Sequence, residues 1–210
     1  MVEYVGFHDH EERLIRELIL RLDEDAYVLG ELRRVEKAHL PGYNGRVCPK
    51  LAADSDRWEM TMSLSSCDPF TIAHELAHVS DIAVRRNETR SHLSQAMPHH
   101  WHVAHNMSSE YYANRVACEY SDEAHVVGAF RSDVAGLALA AREQDWAAFA
   151  TYYSLILGIL HAHNRHDGEP LKVLSGVETL PSSVIEAMTS FKTHASNFFE
   201  NYRVPLPSAA

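Results

Sequence analysis

The chain has 210 residues, 46 % of them hydrophobic, and a formal net charge of −10. A chain of this length and apolar content can bury a substantial core. Its acidic balance and its lack of lysine and arginine runs argue against nucleic-acid binding by this chain alone.

The sequence also argues against membrane association and a disulfide framework. Residues 1–12 are charged and lack the apolar region of a signal peptide. The longest strongly apolar stretch, residues 155–160, is too short to cross a bilayer. The three cysteines form no C-x-x-C pair, and their odd number does not indicate a set of disulfides. We therefore expect a cytoplasmic protein; its oligomeric state is not predicted.

The first quarter of the chain contains helix and strand patterns. Hydrophobic spacing predicts a helix over residues 9–22 and a second one over residues 25–40. Residues 41–45 are predicted to form a turn, because they contain Pro-Gly and Asn-Gly. A short strand is expected at 46–48 and a polar loop at 52–56.

The clearest strand pattern covers residues 58–64. Apolar and polar residues alternate there without a break, which is typical of a β-strand; the apolar series is Trp58, Met60, Met62 and Leu64. As an edge strand, this segment would be able to pair with an extended substrate backbone. Alternatively, its polar residues are simply a solvated side, and the sequence does not separate these two interpretations.

The rest of the chain is predicted to be mainly helical. Residues 85–106 are polar, rich in histidine and poor in periodicity, which predicts a long loop over the site with a helical turn near 91–95. Asn106 or Ser108 can cap the next helix, which is expected to end near residue 125. Further helices are predicted over about 126–143, 145–162 and 182–202, with connections at 164–168 and 175–181.

The motif H-E-x-x-H occurs at His74, Glu75 and His78. Asp68 and Pro69 upstream predict the N-cap and first residue of a helix, so the two histidines lie one turn apart on the same face. Together they can bind one metal ion, with the glutamate beside it. If the metal is zinc, a bound water has a pKa of about 7 and the glutamate can serve as general base in peptide hydrolysis. The opposite helix face is apolar and contains Ile72, Leu76, Val79 and Ala83.

A catalytic zinc site usually has three protein ligands, and Glu110 is the best candidate for the third. It opens a predicted helix on which Ala113 and Ala117 are small enough to allow close approach to the motif helix. Asn114, one turn later, can accept a hydrogen bond from the second ring nitrogen of a ligating histidine. Asp81, near the end of the motif helix, can orient a histidine in the same way or, less favourably, replace Glu110 as ligand.

H-E-L-A-H followed by E-x-x-A-N-x-V-A, at Glu110 to Ala117, resembles the gluzincin metallopeptidases and, within them, the ImmA/IrrE-like family. The resemblance covers roughly residues 58–119. It implies a zincin-like core with a small β-sheet edging the active-site cleft, and zinc bound by His74, His78 and Glu110 with Glu75 as base. Members often act on a cytoplasmic regulator of repressor type, which implies a protein or peptide substrate.

We therefore predict an α+β, predominantly helical protein. Residues 1–125 would form a zincin-like metallopeptidase core and residues 126–210 a helical extension packed on it, or both would form one continuous domain. The predicted function is that of a zinc endopeptidase. The alternatives are a non-catalytic regulatory or interaction module with a structural or vestigial zinc site, and a zinc hydrolase of non-peptide amides. Candidates for stabilising an oxyanion are His99, His100, His102, His105, Tyr111 and Tyr112.

Overall fold

Six helices and a four-stranded sheet make up the described part of the structure, a computed structural model that covers residues 2–52, 57–95 and 99–163 and the isolated positions 182, 186 and 191. The fold is α+β and mostly helical, as predicted. The elements are β1 (Glu3–Val5), α1 (Asp9–Glu24), β2 (Leu32–Lys37), β3 (Gly45–Leu51), β4 (Trp58–Leu64), α2 (Pro69–Val84), α3 (Arg86–Leu93), α4 (His99–Glu119), α5 (Glu123–Glu143) and α6 (Trp146–Ala162).

The strand order in the sheet is β1-β2-β4-β3. β1, β2 and β4 run parallel, whereas β3 pairs antiparallel with β4. β4 is therefore an interior strand, and the interpretation of residues 58–64 as an edge strand is wrong. β3 is the edge strand on that side, which also explains how it accommodates Pro49, since proline cannot donate a hydrogen bond to a second neighbour.

The helix predicted over residues 25–40 is also wrong, because this segment contains β2. A register shift lies between Leu32 and Arg34 in the pairing with β4. As a result Leu32 and Val35 are both buried although they are three positions apart. With Leu29, which precedes the strand, they reproduce the spacing of an amphipathic helix.

Helix α2 forms as predicted and buries most of its surface. Asp68 caps it by accepting a hydrogen bond from the backbone N–H of Thr71 at 2.9 Å, and Pro69 occupies the first turn. The predicted apolar face is fully or almost fully buried, but so are Ser80 and Asp81. The helix therefore crosses the interior, and its histidines lie on the least enclosed side.

Residues 85–106 do not form the predicted long loop. They contain α3 and the first two turns of α4, which begins at His99 and ends at Glu119. The helical pattern is hidden because several buried side chains here are polar, including Arg85, Thr89 and His105. Polar burial of this kind leaves no apolar periodicity in the sequence.

The C-terminal helices agree closely with the prediction, except that α5 begins at Glu123. Asp122 and Asp145 cap α5 and α6 by accepting backbone N–H hydrogen bonds from His125 and Ala148. The helix predicted over 182–202 lies outside the described residues apart from three positions, and so do the connections at 164–168 and 175–181 and most of the loop at 52–56.

Two hydrophobic clusters meet at α4. The first joins the sheet to α1 and α2, and α4 contributes Ala113 and Ala117 to it. The second lies between α4, α5 and α6, and α4 contributes Ala104 and Met107 to it. The boundary proposed near residue 125 stays a prediction. Among the described residues, no helix combines the length and apolar character that a membrane crossing requires.

Candidate metal centre

Helices α2 and α4 bring three potential ligand atoms together. The Nε2 atoms of His74 and His78 lie 3.0 Å apart. The Oε2 atom of Glu110, on α4, lies 3.3 Å from the first nitrogen and 3.5 Å from the second. The side chains of the three residues are 13–28 % exposed, so the group is partly buried. The structure thus brings together the three residues predicted as ligands.

These distances fit a metal ion at the centre of the group. Zinc–nitrogen and zinc–oxygen bonds of about 2.0–2.1 Å in a tetrahedral site separate the ligand atoms by about 3.3 Å. Within residues 2–52, 57–95 and 99–163, no other set of three histidine, cysteine or acidic side chains converges in this way. The group is therefore positioned to hold a metal ion.

The hydrogen bonds around His74 select the tautomer that a metal ligand needs. Its Nδ1 lies 2.8 Å from the Oδ1 atom of Asn114. The amide nitrogen of Asn114 donates to Asp133 and to the carbonyl of Leu155, both at 3.0 Å. Because these acceptors fix the amide, its oxygen faces His74 and the histidine donates from Nδ1. The Nε2 lone pair is left free for a metal.

His78 is held in a similar way by a serine. Ser109 donates its hydroxyl hydrogen to the Oδ2 atom of Asp81 at 2.6 Å, and its oxygen lies 3.0 Å from Nδ1 of His78. The hydroxyl oxygen therefore accepts from Nδ1–H, and Nε2 again faces the metal position. Ser109 was not predicted as part of the site, although its position immediately before Glu110 on α4 was an available signal.

Asp81 is not placed as a metal ligand. It forms a buried ion pair with the guanidinium group of Arg85, whose Nε donates to Oδ1 at 2.6 Å. It reaches His78 only through Ser109. The carboxylate thus fits the predicted role of orienting a histidine, with a serine between them.

The described oxyanion candidates are engaged elsewhere. Arg85 Nη1 lies 3.0 Å from Nδ1 of His105, and His102 packs against His92 with ring centroids 4.2 Å apart. The hydroxyl group of Tyr111 lies 2.9 Å from Nδ1 of His161 and accepts a hydrogen bond from Arg115. The hydroxyl group of Tyr112 is buried. The role of these residues in stabilising an oxyanion therefore stays a prediction.

Glu75 lies beneath β3, with 5 % of its surface exposed. A Cβ atom placed on Gly45 would lie 2.6 Å from its Oε1 atom, so a side chain at this point of the strand would displace the carboxylate. Its Oε2 atom is buried without a hydrogen-bond partner among the described residues. Gly45 was not predicted as part of the site, because no local sequence pattern links it to the motif.

The charges of the site are strongly coupled. Burial disfavours the charged forms of His78 and Glu110, but their mutual attraction outweighs it. This attraction raises the pKa of His78 to about 9 and holds the pKa of Glu110 well below its usual range. Burial raises the pKa of Glu75, and the two histidines only partly oppose this effect. A buried carboxyl group beside two imidazoles and a carboxylate can exchange protons with a ligand bound at these residues.

Comparisons of the chain with protein-family models, characterised proteins and solved structures found no match. The resemblance to the ImmA/IrrE-like peptidases therefore stays an expectation based on the motif residues.

Proposed function

We propose that this protein is a zinc-dependent metallopeptidase with a zincin-like core. The observation that carries the proposal is the convergence of His74, His78 and Glu110, with each histidine held to donate from Nδ1. Two imidazoles and one carboxylate are the protein ligands of a common class of catalytic zinc site. When bound, zinc would polarise the scissile carbonyl group and lower the pKa of a water molecule.

Glu75 supplies the proton transfers in this proposal. Its carboxylate accepts a proton from the attacking water and returns it to the leaving amine. Burial raises its pKa, which brings its proton affinity closer to neutral pH and suits a group that must first gain and then lose a proton. Its Oε2 atom has no hydrogen-bond partner among the described residues, which leaves a lone pair that can accept the proton.

β3 offers a route for substrate binding. It pairs only with β4 among the described strands, and its first residue, Gly45, lies against Glu75. An extended peptide could add to its outer edge by main-chain hydrogen bonds. In this arrangement the scissile bond would pass close to the general base.

The test compares the wild type with Glu75→Gln, both loaded with zinc, on a mixed-sequence peptide library read by mass spectrometry. The variant keeps the shape of the side chain but cannot accept the proton. We expect unchanged zinc content and hydrolysis reduced by about 10²–10⁴-fold. Equal cleavage by the two proteins would contradict the role of Glu75. A zinc-loaded wild type that cleaves no peptide in the library would contradict the peptidase proposal.

A further inference from the structure

Two groups from the C-terminal helices hold the amide group of Asn114. Its Nδ2 atom donates to the carboxylate of Asp133 on α5 and to the backbone carbonyl of Leu155 on α6. We propose that Asp133 is a positioning residue of the metal centre, which acts through Asn114 to keep His74 in its metal-binding tautomer. This inference rests on the metal site of the proposed function.

The two ends of the Asn114 amide have similar shapes but opposite hydrogen-bonding roles. If the Asn114 amide turned over, its NH₂ group would face Nδ1 of His74 and favour the tautomer that carries its proton on Nε2. That nitrogen could then no longer bind a metal. The turned amide would also place its oxygen against the oxygens of Asp133 and Leu155. The two acceptors therefore select one orientation.

Asp133 is the side-chain member of this pair of acceptors. The carbonyl of Leu155 accepts one N–H of the amide, and without Asp133 the other would have no acceptor there. Burial raises the pKa of Asp133 to about 7, an effect that the hydrogen bond from Asn114 opposes. Because both the ionised and the protonated carboxyl group have an oxygen that can accept, the contact does not depend on the protonation state.

Through these hydrogen bonds, the C-terminal helices α5 and α6 take part in the metal centre. Neither α5 nor α6 supplies a candidate ligand, yet each supplies one acceptor for Asn114. The close packing of α6 on α4 at Gly158 brings the carbonyl of Leu155 within reach. The metal centre therefore extends beyond the motif residues, into the part of the chain for which the sequence pattern indicated no role.

The test measures zinc affinity of the full chain by competition with a chromophoric chelator, together with the absorption spectrum of bound Co²⁺. Asp133→Leu removes the acceptor at similar size, and we expect about tenfold weaker zinc binding or more and a changed Co²⁺ spectrum. Asp133→Asn keeps an acceptor oxygen and should match the wild type. Glu143→Leu, which changes an exposed acid on the same helix, is the matched control.

If Asp133→Leu does not fold, a double variant in which the residues at positions 114 and 133 are exchanged tests the same contact. Asn114→Asp places a second carboxylate against Asp133 and should weaken zinc binding, and adding Asp133→Asn should restore much of the loss. Wild-type affinity and spectrum in Asp133→Leu, or no rescue in the double variant, would overturn the inference. A wild type that binds no zinc would instead refute the proposed function.

Discussion

At the scale of single residues, the position of Glu75 depends on the absence of a side chain at Gly45. The carboxylate lies where a side chain on this residue of β3 would otherwise be, since a Cβ atom there would approach Oε1 to 2.6 Å. The contact joins the edge strand to the proposed general base. Glycine at this position therefore leaves room for the Glu75 carboxylate. The strand itself does not need glycine there, because it requires no special backbone angle.

Gly45→Ala should displace the Glu75 carboxylate without touching the ligand residues. We expect zinc content to stay at the wild-type level and peptide hydrolysis to fall by about 10²-fold, because a small misplacement of a catalytic group costs about this much. The measurements are metal analysis and cleavage of the peptide library. Gly30→Ala is the matched control, since a Cβ atom on Gly30 meets nothing within 4 Å. Full activity in Gly45→Ala would show that Glu75 does not depend on this contact.

The sequence predicts part of the site because helical periodicity is local. His74 and His78 share a face by their spacing alone, and the same spacing places Asn114 one turn after Glu110. Gly45 and Asp133 were not predictable in this way. Their roles arise from contacts between elements that are far apart in the chain, and such contacts leave no local pattern.

At the scale of elements, the start of α2 fixes where the motif begins. Asp68 accepts hydrogen bonds from both the backbone N–H and the hydroxyl group of Thr71, and also from Ser66. Burial opposes its charge, but these hydrogen bonds lower its pKa below the ordinary value of 3.8. The folded state therefore favours the ionised cap.

The contribution of this cap to stability should depend on pH. It is present above the unfolded pKa of 3.8 and lost as the pH falls through the lower folded pKa. At pH 7, Asp68→Ala should lower the free energy of unfolding by about 1 kcal/mol, and this difference should shrink in acid. Denaturant unfolding at several pH values measures it. Asp68→Asn, an uncharged cap, should lose less and show no such trend. A difference that grows in acid would contradict the assignment.

The crossing of α4 and α6 depends on Gly158. A Cβ atom at this position would lie 2.4 Å from the backbone carbonyl oxygen of Tyr111 and 3.1 Å from Cβ of Asn114. Backbone cannot move aside as the end of a flexible side chain can. The two helices would have to separate to accept any larger residue.

Gly158→Ala should therefore destabilise the protein by about 1–3 kcal/mol, the usual cost of overpacking. Gly128→Ala is the control and should act in the opposite direction. Its Cβ atom would meet nothing within 4 Å on the exposed side of α5, and alanine stabilises a helix interior by about 0.5–1 kcal/mol relative to glycine. Thermal or denaturant unfolding distinguishes the two. Equal stability of Gly158→Ala and the wild type would contradict the close crossing.

Elements with regular patterns were predictable and irregular ones were not. The strict alternation in β4 and the Asp-Pro start of α2 identify both elements correctly. β2 was mistaken for helix because a register shift in its pairing with β4 leaves both Leu32 and Val35 buried. α3 and the start of α4 were missed because they bury Arg85 and His105 in hydrogen bonds, whereas sequence patterns detect mainly apolar burial.

At the scale of the whole molecule, the site lies where the two hydrophobic clusters meet. α2 belongs to the cluster around the sheet, and α4 contributes to both clusters. The ligand residues therefore connect the two hydrophobic clusters. The order of the strands determines which strand lies next to these residues. The strand order could not be predicted from the sequence. The alternation shows that residues 58–64 form a strand, but it does not show which strands lie on either side of it.

The zinc content of the purified chain tests most directly whether His74, His78 and Glu110 form one zinc site. After equilibrium dialysis, elemental analysis should give about one zinc per chain for the wild type, as a three-ligand site requires. His78→Ala and Glu110→Ala should lose it, whereas Glu119→Ala, which changes an exposed acid at the end of α4, should retain it. A zinc-free wild type, or full zinc content in Glu110→Ala, would contradict the account.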